Sequence, residues 1–249
     1  MKRFVIANWK MLPQTLAEAG EIVERVDGWL GELNGHVPLN IVLCPPFIFL
    51  EEVAQRLQEG RLISAVQLGA QDIAASDVPG QTGEVGGAQL AALGVRYVII
   101  GHSERRALGE SDATVHAKLL EALHHHLTPV LCVGETSRDA GWEKRLAAQA
   151  QSALEGLDGP DLARVILAYE PVWAISTNPG ARPDTPESAA GAAAILHGAI
   201  GLSSPLLYGG SVIPANAAGF LNRGAFNGVL VGGASVRADD FVRILQESL

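Results

Sequence analysis

The sequence predicts an α/β protein, a (β/α)8 barrel that spans residues 1–249 as a single domain. Three observations predict it. Eight short apolar runs, rich in β-branched residues, alternate with eight longer segments of helical spacing. The runs are nearly all apolar rather than alternating, as expected of parallel strands covered by helices on both faces. Eight such units in 249 residues, with no linker dividing them, is the arithmetic of a closed barrel. A doubly wound open sheet would need fewer strands or a second domain, and no repeat is close enough for a solenoid.

The expected strands follow in order. They are FVIANW (4–9), NIVLCPP (40–46), LISAVQLGA (62–70), RYVIIGH (96–102), TPVLCVGE (128–135), RVILAYE (164–170), PLLYGG (205–210) and GVLVGG (228–233). Helices are expected over 15–30, 47–58, 86–94, 113–127, 142–157, 185–201, 214–224 and 237–249. Thr185-Pro186-Glu187 marks one helix start, with the Thr as N-cap and the Pro at the first helical position.

Composition narrows the function. The chain is 48% hydrophobic but only 5% aromatic, so Ala, Val, Leu and Ile must build the core. Its net charge of −9 and the missing basic stripe argue against a nucleic-acid partner. A local positive site can still hold an anionic substrate in a negative protein. Cys44 and Cys132 both fall in apolar runs and read as small buried residues of a reducing compartment. The apolar stretch after the basic start stops at Asn8, too short for a signal peptide. No run reaches the roughly 18 apolar residues of a membrane helix. A cytoplasmic protein is expected.

In a barrel of this kind, chemistry sits at the C-terminal strand ends. Reading those ends gives Asn8 and Lys10, Cys44, Gln71, His102, Glu135, Glu170, Ser211 and Gly232-Gly233. Glu170 follows VILAY, where burial would raise its pKa and suit it to remove a weakly acidic proton. His102 precedes SERR at a helix start, whose dipole would lower its pKa and keep the ring neutral, able to donate to a carbonyl oxygen. Lys10 could hold a phosphate or a developing enediolate. The pairs in YGGS (208–211) and VGGAS (231–235) let backbone approach a ligand and cradle a phosphate. Each residue alone is a weak signal; a lone His, Lys or Gly pair is commonly structural. HHH at 124–126 ends a helical segment without partner spacing and reads as a polar helix end rather than a metal site. The ERR of 104–106 reads as an ion-pair cluster under the site, with Glu104 able to reach Lys10.

With these residues assembled, the chain resembles the triosephosphate isomerase family over essentially its whole length. The matching pieces, in order, are ANWKM, GAQD, TGEVG, IGHSERR, GESD, CVGE, AYEPVWAI, TPE, YGGSV and LVGGAS. The resemblance implies a TIM barrel that interconverts dihydroxyacetone phosphate and glyceraldehyde 3-phosphate through an enediolate, with no metal and no organic cofactor. It implies Glu170 as the proton shuttle, His102 as the electrophile, Lys10 as the charge stabiliser and Asn8 as a substrate-orienting group. Ser211, Gly232, Gly233 and the backbone N–H of Ser176 would hold the phosphate. It further implies a homodimer in which the SDVPGQTGEVGG loop enters the partner, with Thr82 near the partner's Lys10. The segment from Pro171 to Thr177 resembles the family's lid, which excludes water while the intermediate exists.

The departures lie in the lid and near the expected dimer contact. The front hinge PVW matches, but AISTNPGARPDTPE replaces the usual AIGTGK before TPE, placing Ser176 and Asn178 at glycine positions. From Glu170 to Thr185 is 15 positions, longer than the family pattern, and Pro179 and Pro183 stiffen the insert. Asp72 stands where the family commonly has Asn, and Gly86-Gly87 replaces a Ser-Pro pair. Two other readings compete. A Schiff-base aldolase needs a late-strand Lys and a metal-dependent epimerase needs more His and carboxylate ligands at strand ends. The other is a phosphate-binding barrel without activity, its lid spoiled by the insert, against which Asn8, Lys10, His102 and Glu170 argue.

Overall fold

A computed structural model describes residues 3–34, 37–59, 61–175, 180–201, 204–222 and 224–249. Among the described residues the strands are β1 (Arg3–Asn8), β2 (Leu39–Cys44), β3 (Val66–Ala70), β4 (Tyr97–Ile100), β5 (Thr128–Val133), β6 (Ile166–Tyr169), β7 (Leu206–Tyr208) and β8 (Gly228–Val231). Each pairs in parallel with the next, and β8 returns to β1 with Phe4 opposite Gly228 and Ala7 opposite Val231, so the barrel closes. The principal helices are α1 (Leu16–Glu32), α2 (Leu50–Leu57), α3 (Gly87–Ala92), α4 (Asp112–His124), α5 (Trp142–Ala153), α6 (Pro186–Ile200), α7 (Pro214–Leu221) and α8 (Ala238–Glu247). The sequence expectation of a (β/α)8 barrel is met, strand by strand.

Local chemistry sets the boundaries. Thr15 caps α1 by accepting from the Glu18 N–H, while the Glu18 carboxylate accepts from the Thr15 N–H. Thr185 caps α6 with Pro186 at the first position, as its sequence predicts, and α6 ends at Gly201 with φ 62°. One boundary is corrected. The run expected as a strand from Leu62 opens as a helical turn, Leu62–Ala65, and extends only from Val66. Pairing with β2 begins at Ile41 opposite Val66, and Leu62 in the turn before it belongs to the larger hydrophobic cluster rather than to the barrel interior. A single helical turn at Ser103–Ala107 supplies the helix start expected after His102, and another at Gly159–Leu162 falls where no separate helix is expected.

Strand period divides the core in two. Inside the barrel lie Phe4, Ile6, Val42, Cys44, Ile99, Val130, Cys132, Ile166, Ala168, Leu207 and Leu230. The alternate residues, such as Val5, Ala7, Leu43, Val98, Leu167 and Val229, face the helices in the larger shell. Continuing the inward parity to the C-terminal ends of β1, β6, β7 and β8 brings four residues to the barrel mouth: Asn8 after Ile6, Glu170 after Ala168, Gly209 after Leu207 and Gly232 after Leu230. The interior packing thus aims the polar residues at the mouth.

Candidate active site

Glu170 is the first residue beyond β6 and is 2% exposed. Its Oε1 lies 3.0 Å from Nε2 of His102, and its Oε2 accepts from the Ser103 N–H at 3.0 Å. His102 is the N-cap of the Ser103–Ala107 turn, and its Nδ1 accepts from the Glu104 N–H at 3.2 Å. Because Nδ1 is an acceptor, the ring proton sits on Nε2 and points at the carboxylate.

This contact reverses two sequence expectations. Burial pushes the Glu170 carboxyl up and His102 down, as their positions predict. The attraction between the two groups outweighs burial. Glu170 is held below its usual value, with the Ser103 N–H and Lys10 assisting, and its charge lifts His102 above the ordinary imidazole range. The Glu104 N–H works against that rise, since a second ring proton would break its bond to Nδ1. The expectations omitted the pairing of residues far apart in the chain.

Two glycines make the approach possible. A Cβ on Gly134 would fall 1.7 Å from the backbone oxygen of Glu170, and one on Gly209 would fall 2.9 Å from its Cγ. The β6 end is therefore walled by bare backbone on both sides.

Lys10 sits beyond β1 with φ 57°, a left-handed conformation that costs a non-glycine residue about 1–2 kcal/mol. Its N–H donates to Asn8 Oδ1 at 3.1 Å, and its carbonyl accepts from Gln71 Nε2 at 2.8 Å. The same Gln71 nitrogen also donates to the Cys44 carbonyl at 2.9 Å, tying the ends of β1 and β2 together. Lys10 Nζ pairs with Glu104 Oε1 at 2.5 Å, the contact its sequence position suggests. Opposite, the aliphatic stem passes 3.3 Å from where a Gly232 side chain would begin. Ser235, fully buried, donates from its hydroxyl to the Gly232 carbonyl at 2.7 Å and braces that loop.

These groups line one cavity of about 90 Å³. Asn8, Lys10, His102 and Glu170 line it together with Ser211, Gly232 and Gly233. Ile175 and Arg237 also reach it, the latter fixed by Asp240 at 2.6 Å and by the Gly233 carbonyl at 3.0 Å. Ser176, expected to offer its N–H to phosphate, lies outside the described residues, as do Thr177, Asn178 and Pro179. Thr82 is exposed in the loop after β3, away from this cavity.

The front of the segment expected to be a lid is held by Glu135, a strand-end residue for which the sequence suggests no role. Its Oε1 accepts from Tyr169 Oη at 2.8 Å, Trp173 Nε1 at 2.9 Å and Arg138 Nε at 2.9 Å. Arg138 lies over the rings of Trp142 and Trp173 at 4.5 and 5.2 Å. The Arg182 N–H donates to the Trp173 carbonyl at 3.2 Å, so the inserted segment folds back onto the front hinge. A carboxylate three residues before an Arg at the end of β5 was a visible signal for this brace; its aromatic partners were not.

Fold and site together define a class, the (β/α)8-barrel enzymes with ionisable side chains at the C-terminal strand ends. Comparison with known proteins is more specific. The family model described as triosephosphate isomerase matches residues 3–248. Proteins named triosephosphate isomerase are similar along the chain: one from Roseiflexus sp. (strain RS-1) is 40% identical over 247 residues, covering 96% of this chain and 94% of its own. One from Paracidovorax citrulli is 40% identical over 253 residues, covering 98% and 97%, and one from Idiomarina loihiensis is 41% identical over 252 residues, covering 97% and 96%. The chain belongs to the triosephosphate isomerase family.

Proposed function

We propose that the protein interconverts dihydroxyacetone phosphate and D-glyceraldehyde 3-phosphate, an aldose–ketose isomerisation of glycolysis and gluconeogenesis. One observation carries the reading: a buried, ionised Glu170 faces the Nε2–H of His102 in the cavity that Lys10 and the Gly232-Gly233 loop also line. Enediol chemistry needs one base, one electrophile and stabilisation of negative charge. Glu170 removes the proton from the carbon next to the carbonyl, and the electron pair moves onto the carbonyl oxygen. The Nε2–H of His102 and the ammonium of Lys10 receive that charge. The hydroxyl proton on the neighbouring oxygen passes to the former carbonyl oxygen, and Glu170 returns its proton to the former carbonyl carbon as the new carbonyl forms. When Glu170 leaves His102 for substrate, the attraction that lifts the imidazole goes with it, and burial favours the neutral ring.

Asn8 orients the substrate, and Glu104 positions Lys10. Ser211, Gly232, Gly233 and Ser176 bind the phosphate through backbone N–H groups. The chain works as one barrel domain, in the cytoplasm and as a homodimer through the loop around Thr82. Large apolar residues left exposed in successive loops support the dimer: Met11 at 89%, Ile48 at 82%, Val78 at 62% and Leu108 at 79%. Among the described residues no helix is long and apolar enough to cross a membrane.

Steady-state isomerisation of glyceraldehyde 3-phosphate tests the reading. A kcat/KM nearing the diffusional ceiling of roughly 10⁸ M⁻¹s⁻¹ is expected. Negligible turnover, with a phosphate-bearing enediolate analogue still bound, would make the protein a binding barrel instead. Sedimentation of the purified protein tests the dimer, and a monomer at micromolar concentration would refute it.

A further inference from the structure

The histidine tract is not used by the isomerase reading. His124 is the last residue of α4, His125 caps the helix and His126 turns the chain away with φ 59°. His125 is not solitary, as its sequence position suggests. Its Nε2 lies 2.9 Å from Glu121 Oε1, one turn back on α4, and 3.0 Å from Asp77 Oδ2 in the loop after β3. The three ligand atoms all lie within 4.8 Å of one another, in the one such group of three among the described residues. Each side chain is largely covered yet open at one edge, with 18% of His125, 18% of Glu121 and 29% of Asp77 exposed.

A second observation concerns what the backbone beside the cluster leaves room for. Gly86 and Gly87, which replace the Ser-Pro pair of the family pattern, form its wall. A Cβ on Gly86 would fall 1.9 Å from Asp77 Oδ1, and one on Gly87 would fall 2.2 Å from His125 Cδ2. Neither glycine has a positive φ, and Gly86 at φ −79° and ψ 157° adopts a conformation open to any residue. Their lack of a side chain therefore serves space, and the space is filled by Asp77 and His125. Asp77 is further aimed by the Ala88 N–H, which donates to its Oδ2 at 3.2 Å.

We propose that Asp77, Glu121 and His125 bind a divalent transition-metal ion of the zinc type. One imidazole nitrogen and two carboxylate oxygens supply three ligands, and water takes the fourth position on the open side. Zinc–ligand bonds of about 2.0–2.2 Å ask the present N···O separations to widen by only a few tenths of an ångström. The ion displaces a proton from between His125 and the carboxylates, so binding releases protons and weakens in acid. Magnesium and calcium, which favour oxygen donors, bind poorly here. The ion would staple the loop after β3 to the end of α4. The site is structural and takes no part in the isomerisation.

The test titrates Co²⁺ alone into the full chain, following visible absorption, with Zn²⁺ competition by calorimetry. One ion per chain is expected, with a ligand-field band and a rise in melting temperature. Asp77→Asn keeps an acceptor for the Ala88 N–H but removes a ligand charge, and should weaken binding roughly tenfold or more, as should His125→Ala and Gly87→Ala. A His124→Ala/His126→Ala double variant should bind as the parent does. Absence of binding at millimolar Co²⁺ would overturn the proposal. So would affinity indifferent to Asp77→Asn and His125→Ala, or lost only in the double variant, which would mark adventitious binding by the tract.

Discussion

Glu170 and His102 come from strands β6 and β4 and meet at 3.0 Å, and each reverses the pKa shift that burial alone would give the other. In the proposed mechanism the base thus rests on its own electrophile. Replacing Glu170 with Asp retracts the carboxylate by one methylene from both His102 and the substrate. The expected result is a fall in kcat of two or more orders of magnitude, about 2.7 kcal/mol or more of barrier, with KM changed far less. Steady-state kinetics in both directions checks it.

The same pair sets a pH signature in stability. Glu170 lies below its usual value, so its contribution is present above the unfolded carboxylate pKa and is lost as pH falls through the lowered one. His102 lies above its usual value, so its contribution is present below the unfolded imidazole pKa and is lost as pH rises through the raised one. The pair stabilises most between them, at about pH 5–6. Chemical denaturation of the parent and of His102→Gln should differ most there. A difference that stays flat from about pH 4 to pH 8 contradicts the assignment.

Gln71 supports Lys10 without touching the cavity. Gln71→Ala removes donors from the carbonyls of Lys10 and Cys44 and should cost about 1–3 kcal/mol of stability. With the left-handed Lys10 less constrained, kcat/KM should fall by about tenfold or more. Gln71→Glu, unable to donate when ionised, should behave like the Ala variant; activity equal to the parent in both would remove Gln71 from the site's support.

Gly134→Ala places a methyl 1.7 Å from the Glu170 carbonyl, a backbone clash that no rotamer relieves. The variant should lose more than about 3 kcal/mol, roughly 6–12 °C in Tm for a chain of this size. A scanning calorimetry trace like the parent's would show that β5 and β6 are further apart than described.

On the sequence reading, the segment from Ser176 to Asp184 departs from the family's lid pattern. Trimming residues 178–183 to the common length should change kcat by several-fold or more, because the Arg182–Trp173 tie that links insert to front hinge is removed with it. An unchanged kcat with the same viscosity dependence would show that the insert plays no part in closure.

Much of this was readable from residue order because a strand's period is two. The apolar runs reveal eight strands, and parity places Glu170 and Asn8 in the mouth rather than against the helices. What the linear pattern lacks is distance between remote residues. The Glu170–His102 pairing spans β4 to β6, so the pKa directions inferred from burial for Glu170 and from the helix dipole for His102 were inverted. Gln71 is an unremarkable amide until the carbonyls of Lys10 and Cys44 are placed above it. LISA carries apolar residues suited to either helix or strand, and only the register with β2 decides that Val66 begins the strand. Besides Glu121 one turn back, His125 acquires Asp77 from a loop that no local spacing connects to it.

The inward parity of β6 also governs how this chain can change length. Ile166 and Ala168 fill the barrel, and Glu170 continues their row. One residue added within that strand would rotate everything after it by half a period, turning the carboxylate outward into the helical layer and bringing Tyr169 to the mouth. The segment beyond Pro171 is where the sequence leads us to expect extra length over the family pattern. Insertions should thus be tolerated a few residues after Glu170 and forbidden just before it, so the gene's history of gains and losses should be written in the loops and nearly blank in the strands.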